Sequence, residues 1–181
     1  MAAIRTADGR LVDPFNPTRE DVRPWVLMHA ISCLNRYTGH TKYPYSVGQH
    51  TLALVRHVPL HLRRAALIHD WAEAWFNDLS TPVKVEVPTY KAAEEKALLF
   101  IAGVMHVSEA ELEELDPYDK SIYIDERNEL YAVPRTNTGM GDERSGLGIS
   151  AEWFKETNWR VVRAKLNSTF RDLFPEYGDW Y

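Results

Sequence analysis

Two histidines and two aspartates offer the kinds of ligand atom that bind a divalent cation. They are His50, the adjacent residues His69 and Asp70, and Asp119. Imidazole nitrogens together with carboxylate oxygens suit a borderline divalent cation better than calcium or a soft copper site. Four protein ligands leave coordination positions for water and substrate, which is the open arrangement of a catalytic site. We therefore predict a catalytic metal centre.

The pair His69 and Asp70 follows the apolar run AALI, residues 65–68, which predicts that the helix is buried at this point. Ionisable groups are costly to bury unless their charge is compensated, and a metal ion would compensate it. Glu73 comes four residues after His69 and three after Asp70, so we expect it on the same helical face. Taken one at a time, a His or Asp in a helix is more often a surface or hydrogen-bonded residue than a metal ligand.

The elements that position these residues are predicted to be helices, because apolar residues recur at helical spacing and no segment alternates convincingly as a strand would. The predicted helices cover 24–35, 46–57, 61–76, 90–107, 108–115, 117–133 and 151–172. We expect one all-α domain over residues 1–181, with an irregular segment at 1–20. The Gly-rich stretch 134–150 is predicted to be a flexible loop, either a plain excursion or a lid or subunit contact.

Composition restricts the class of protein further. The chain has 181 residues, 45% of them apolar and 26% charged, which is typical of a globular domain and excludes wholesale disorder. Its net charge of −5 argues against sequence-independent binding of long nucleic acid. A single cysteine, Cys33, and the lack of a long apolar run predict a cytoplasmic protein without a membrane span.

The string HDWAEAWFNDLSTPVK, residues 69–84, resembles the signature of the HD-domain metal-dependent phosphohydrolases. Within that superfamily it is most similar to bacterial 5′-deoxynucleotidases and small phage dATP triphosphohydrolases. The family pattern, HDxxE and then an Asp in a GDLPTPVK-like turn, matches at His69, Asp70, Glu73, Asp78, Pro82 and Lys84. QHT at 49–51 is similar to the motif of the family's first metal histidine, and YDKSIYIDE at 118–126 to its last metal aspartate. The resemblance covers roughly residues 24–133, with Asn77 and Ser80 in place of the usual Gly and first Pro of the turn.

The resemblance implies an HD-domain helical bundle with one catalytic divalent metal, for which Zn, Co or Mn are the favoured ions and Mg a further option. The implied ligands are His50, His69, Asp70 and Asp119. Two carboxyl groups are implied to be catalytic. Glu73 would orient or deprotonate the attacking water, and Asp78 would donate a proton to the departing 5′ oxygen. Which of the two acts as the acid is left open at this stage.

Substrate contacts are implied in the same way. The family carries an Arg followed by an aromatic residue about fourteen positions before the first metal histidine, which Arg36 and Tyr37 match. Arg36 would bind phosphate oxygens, and Tyr37 would stack on the base. Lys84, which matches the family turn, is expected near the phosphates as a point charge, and so is Lys120, because it lies next to Asp119 in sequence. The alternative is that these side chains are a helix-end cation, a buried aromatic and solvated lysines.

The predicted function is hydrolysis of a deoxynucleoside triphosphate, dATP first, to deoxyadenosine and intact triphosphate. Three phosphates are favoured because Arg36, Lys42, Lys84 and Lys120 would place several cations near one metal. The alternatives are a 5′-deoxynucleotidase, a catalytically inactive nucleotide-binding module and a scaffold protein. The expected partners are a small deoxynucleotide and further copies of the chain, in a homo-oligomeric dimer or hexamer whose interface would use some of the six tryptophans.

Overall fold

The central element of the fold is helix α2 (Val47–His57), in which every residue from Val47 to Val55 is buried. In the computed structural model, which describes residues 3–132 and 145–178, α2 packs most extensively against three other helices. These are α1 (Pro24–Cys33), α3 (Arg63–Ile68) and α8 (Trp159–Leu173). A helix that is buried on all sides lies in the core of a helical bundle. The predicted all-α class is confirmed.

The remaining helices surround this centre and supply the other residues of interest. They are α4 (Glu73–Phe76), α5 (Thr81–Glu86), α6 (Pro88–Val104) and α7 (Glu109–Leu130). Short 3₁₀ turns cover Arg19–Asp21, Tyr37–Gly39, Leu60–Leu62, Ala151–Phe154 and Pro175–Tyr177. Helix α7 contacts α2 and α3, so it brings the second half of the predicted site to the first.

Two predicted helix starts are found as expected. The Ser46 side chain accepts a hydrogen bond from the backbone N–H of Gln49, and the Gln49 side chain accepts one from the N–H of Ser46. Ser108 and Glu111 make the same reciprocal pair at the start of α7. Such capping boxes satisfy backbone donors that a helix terminus otherwise leaves without partners.

The prediction of one helix over 61–76 is wrong. Helix α3 ends at Ile68, and the N–H groups of Trp71, Glu73 and Ala74 each bond a carbonyl three residues earlier instead of four. The physical reason lies in a side chain, since Nδ1 of His69 is 2.8 Å from the carbonyl oxygen of Ala66. In a regular helix that oxygen would accept the backbone N–H of residue 70. The chain therefore tightens into a 3₁₀-like turn at the predicted ligands.

The predictions of two helices over 108–115 and 117–133 are also wrong, because α7 runs unbroken from Glu109 to Leu130 with Pro117 inside it. A proline in a helix interior costs about 3 kcal/mol. Leu115 and Ile122 are fully buried on either side of it, and each buried side chain of this kind contributes about 1.5–3 kcal/mol. Burial of both sides therefore offsets the missing hydrogen bond.

Two further boundaries differ from the prediction. Helix α5 was not predicted, although Ser80 precedes it and Pro82 lies in its first turn. The predicted helix 151–172 is a short 3₁₀ turn followed by α8, which begins at Trp159 because the Asn158 side chain caps it by accepting from the N–H of Arg160. Of the predicted loop 134–150, residues 145–150 have no regular structure and the others lie outside the described residues.

The N-terminal segment 1–20 is not wholly irregular as predicted. Strand β1 (Ile4–Arg5) pairs antiparallel with β2 (Leu11–Val12), with Ile4 opposite Val12. Gly9 closes the hairpin at a φ of +84°, a conformation that glycine adopts without strain. The hairpin forms because Val12 is buried against the helical core, with 1% of its surface exposed.

Candidate metal centre

Three helical regions bring His50, His69 and Asp119 together. His50 projects from α2, His69 follows α3, and Asp119 projects from α7. One ligand atom from each lies within 4.8 Å of the other two, so the three could hold a metal ion. Nε2 of His50 is 3.0 Å from Oδ1 of Asp119 and 3.2 Å from Nε2 of His69.

Asp70 lies beside the same three residues. Its Oδ2 is 3.1 Å from Nε2 of His69 and 3.7 Å from Nε2 of His50. Ligand atoms around a tetrahedral zinc ion are about 3.4 Å apart when each is about 2.1 Å from the metal. The structure therefore brings His50, His69 and Asp119 together in one group that could hold an ion, and it places Asp70 beside the two histidines.

The hydrogen bonds of the two histidines direct their free nitrogens to one point. Nδ1 of His50 lies 2.6 Å from Oε1 of Glu126, and Nδ1 of His69 lies 2.8 Å from the carbonyl oxygen of Ala66. A carboxylate and a carbonyl only accept, so each Nδ1 carries the hydrogen and each neutral imidazole presents a lone pair at Nε2. Oδ1 of Asp119 is buried at the same point, 3.0 Å from Nε2 of His50. Converging lone pairs of this kind fit a cation.

The electrostatics agree with this donor set. Burial by itself would lower the pKa of His69, but Asp70 and Asp119 outweigh it and raise that pKa well above its usual value. Burial would raise the pKa of Asp119, but hydrogen bonds from His50 and His69 hold it well below its usual range. The aspartates thus stay ionised while the histidines bind a proton tightly. A divalent cation competes with protons for such ligands.

Glu73 lies next to this centre with 6% of its surface exposed, and its Oε2 has no hydrogen-bond partner. Burial raises its pKa well above the usual value, and the charges of Asp70 and Asp78 raise it further. Oε1 is 3.8 Å from Nζ of Lys84, a weak compensation. The surroundings of this predicted catalytic residue thus favour the protonated form of its carboxyl group.

Asp78, the second predicted catalytic residue, is held by backbone. Its Oδ2 accepts the N–H of Tyr37 at 3.2 Å. The preceding Asn77 has φ 74° and ψ 156°, a region that essentially only glycine occupies without strain. The HD-family pattern that residues 69–84 resemble has glycine at this position, and glycine adopts this backbone conformation without strain. Hydrogen bonds from the Tyr90 hydroxyl to the carbonyls of Phe76 and Asn77 hold this turn in place.

An open cleft of about 340 Å³ lies beside the centre and is rich in carboxylates. Its acidic lining residues are Asp70, Glu73, Glu94, Glu95, Asp116 and Asp119. Lys84 and Lys91 also line it, but Lys84 bonds Glu94 at 2.7 Å and Lys91 lies 3.5 Å from Glu95.

The cations predicted to bind phosphates all have partners in the protein. Nη1 of Arg36 is 3.3 Å from Oδ2 of Asp70, and its Nε is 3.5 Å from Oε2 of Glu126. Lys120 is 55% exposed and pairs with Asp116. Nζ of Lys42 donates to the carbonyl oxygen of Glu129 at 2.8 Å, and Lys84 is held by Glu94. The argument for three phosphates from the number of cations is therefore weaker than the sequence indicated.

Tyr37, predicted to stack on a base, lies in an aromatic cluster. Its ring centroid is 5.7 Å from that of Tyr131 and 6.2 Å from that of Tyr123, and its hydroxyl donates to Glu126. Among the described residues, the lining of the cleft does not include Tyr37. Its role in binding a substrate stays a prediction.

Sequence reasoning included Glu126 in the motif at 118–126 but gave it no role, and it missed Tyr45 altogether. Glu126 is fully buried and contacts His50, while the Tyr45 hydroxyl donates to Glu126 at 2.9 Å. A signal for Glu126 existed, because it follows Asp119 by seven residues and two helical turns return to the same face. Tyr45 precedes the helix cap in a loop, and no pattern indicates it.

Comparison with known proteins adds relatives but no activity. No family model matches the chain. It is 32% identical over 96 residues to the uncharacterized protein YfdR of Escherichia coli K12, and the aligned region covers 53% of this chain and 54% of that protein. It is also 32% identical over 92 residues to an uncharacterized protein of Rhodobacter capsulatus, over 46% of this chain and 47% of that protein. The chain thus spans about half the length of the curated relatives it matches. Within residues 3–132 and 145–178, no helix has the length and apolar character needed to cross a membrane.

Proposed function

We propose that this chain is a metal-dependent phosphohydrolase of the HD type that cleaves the bond between phosphorus and the 5′ oxygen of a deoxynucleotide. One observation carries the proposal. The ligand atoms of His50, His69 and Asp119 converge, with Asp70 beside the two histidines, next to a cleft that the buried carboxyl group of Glu73 also lines. The first candidate substrate is a deoxynucleoside triphosphate, dATP before the others, with deoxyadenosine and triphosphate as products.

The proposed mechanism assigns each group a role. His50, His69, Asp70 and Asp119 would hold a divalent metal, which would supply Lewis acidity and lower the pKa of water at the site. Burial and acidic neighbours raise the pKa of Glu73. Its carboxylate accepts a proton from the attacking water while the oxygen of that water forms the new bond to phosphorus. Asp78, fixed by the N–H of Tyr37, donates a proton to the 5′ oxygen as its bond to phosphorus breaks.

A second candidate, a 5′-deoxynucleotidase acting on monophosphates, breaks the same bond. The pairing of Lys84 with Glu94 and of Lys91 with Glu95 favours it, because these two are the cations among the described residues that line the cleft. Three phosphates need more compensating charge than one.

Homo-oligomer formation, with a dimer or hexamer expected, also stays part of the proposal.

Ion-exchange analysis of the products tests the proposed function. The purified chain is incubated with deoxy- and ribonucleoside mono- and triphosphates in the presence of Mn, Co, Mg or Zn. Triphosphate from dATP supports the first candidate, and orthophosphate from dAMP with dATP untouched supports the second. Nucleotide bound without hydrolysis would leave only a binding module, and the proposal would fail.

Two variants tie any activity to the centre. His69→Ala removes a predicted ligand, so activity and bound metal are expected to be lost. His61→Ala is the matched control because His61 is 60% exposed and pairs with Glu114 on the surface. Equal turnover in the two variants would contradict the assignment of the metal centre.

A further inference from the structure

Glu126 is a carboxylate with no exposed surface, and donors from several parts of the chain surround it. Its Oε1 accepts from Nδ1 of His50 at 2.6 Å and from the Tyr45 hydroxyl at 2.9 Å. Its Oε2 accepts from the Tyr37 hydroxyl and lies 3.5 Å from Nε of Arg36. A buried carboxylate is stable only when hydrogen bonds and an opposite charge compensate it, and here both are present.

The two candidate histidine ligands are oriented by different kinds of partner. Nδ1 of His69 bonds the backbone carbonyl of Ala66, which no substitution removes. Nδ1 of His50 bonds a side chain, Glu126, on a different helix. The orientation of His50 therefore depends on one replaceable residue.

We infer that Glu126 is a positioning residue that fixes the ring orientation and tautomer of His50, so that Nε2 is held towards the metal centre. This inference rests on the metal centre of the proposed function, but not on any activity. Outer partners of this kind orient a metal-binding histidine and increase its basicity, and their loss costs about 10–100-fold in metal affinity or activity.

The same carboxylate joins the segment of Arg36 and Tyr37 to the centre. Arg36 bridges Glu126 and Asp70, and the backbone of Tyr37 holds Asp78. Glu126 thus touches, directly or through one residue, three of the groups assigned to the reaction. Glu126 is not among the described residues that line the cleft, so we expect it to act through its neighbours.

The test compares metal affinity in Glu126→Gln and Tyr45→Phe. Glutamine keeps the size of the side chain but removes the charge, whereas phenylalanine removes one donor and leaves the carboxylate on His50. Competition titration with Zn and Co is expected to show a loss of about 10–100-fold for Glu126→Gln and a change of less than about threefold for Tyr45→Phe. Equal affinity of wild type and Glu126→Gln would overturn the inference.

A double-mutant cycle separates positioning from a general loss of structure. If Glu126 acts through His50, then Glu126→Gln should cost little further Zn affinity in the His50→Ala background. The full loss in that background would show that Glu126 supports the fold and not the ligand, and would overturn the inference.

Nitrogen-15 NMR of the wild type keeps the inference testable even if Glu126→Gln does not fold. In the metal-free protein, Nδ1 of His50 is expected to carry a slowly exchanging proton. An unprotonated Nδ1 would overturn the inference. None of these measurements uses turnover, so a chain that binds metal with the expected pattern but hydrolyses no nucleotide would refute the proposed function alone.

Discussion

The protonation of the centre depends on single side chains, and Glu73 is the clearest example. It is buried, it faces the charges of Asp70 and Asp78, and one of its oxygens has no partner. Lys84 offers only a distant compensation because Glu94 binds it more closely. An isolated buried carboxyl group of this kind is typical of general acid–base catalysts.

Replacing Glu73 should therefore affect rate and not metal content. We expect Glu73→Gln to retain the metal and to lose roughly 10²–10⁴ in turnover, the usual scale of general acid–base catalysis. Glu114→Gln, an exposed glutamate on α7, serves as the control. Metal analysis and steady-state kinetics check both variants, and loss of metal from Glu73→Gln would instead make Glu73 a ligand.

The raised pKa of Glu73 also makes the stability of the folded protein depend on pH. Its folded-state pKa lies above the unfolded value of about 4.3, so the folded protein binds more protons between the two values. The contribution to stability is complete below the unfolded pKa and is lost as pH rises through the folded pKa. Glu73→Gln should thus gain stability over metal-free wild type as pH rises through this window. Urea unfolding at several pH values measures the difference, and a constant difference would contradict it.

At the scale of elements, the sequence predicted what depends on local chemistry. The capping residues Ser46 and Ser108 and the buried run before His69 were recognisable because each signal lies within a few residues. The break at His69 depends on a side chain bonding a backbone carbonyl, and the unbroken α7 depends on core contacts around Pro117. Neither is encoded in a local pattern, so periodicity alone predicted one helix too long and another too short.

Close packing of α2 gives a prediction at this scale. A Cβ at Gly48 would lie 2.9 Å from Cγ1 of Val162 and 3.2 Å from the backbone Cα of Ser32. Gly48→Ala should therefore destabilise the protein by about 1–3 kcal/mol, the usual cost of overpacking. Gly103 in α6 faces open space, so Gly103→Ala should be neutral or stabilise by up to about 1 kcal/mol. Chemical unfolding compares them, and equal stabilities would refute the packing argument.

For the whole molecule, the centre joins parts of the chain that are far apart in sequence. His50 lies on α2, His69 and Asp70 follow α3, and Asp119 lies on α7. A cation that binds all of them binds the folded state and not the unfolded chain. A metal bound there would therefore stabilise the bundle as well as take part in the proposed reaction.

Metal should accordingly raise the melting temperature. At a metal concentration of 100 times Kd the gain is about 2.7 kcal/mol, which corresponds to roughly 5–10 °C for a chain of this size. His69→Ala should show no such shift, and chelation should reverse it in the wild type. Calorimetry with and without Zn or Mn measures the effect, and an equal shift in the variant would place the metal elsewhere.

Pro117 has a consequence for the motions of α7. It has no amide hydrogen for the carbonyl of Glu113, so the backbone ladder is interrupted two residues before Asp119. Helices open in cooperative units that such interruptions divide. We expect amide hydrogen exchange to be faster in residues 109–116 than in 119–130, with a step at the proline. Pro117→Ala should remove the step. Uniform protection along α7 in the wild type would contradict the prediction. The beginning of α7 can then open repeatedly while the aspartate that faces the two histidines stays in its ordered half.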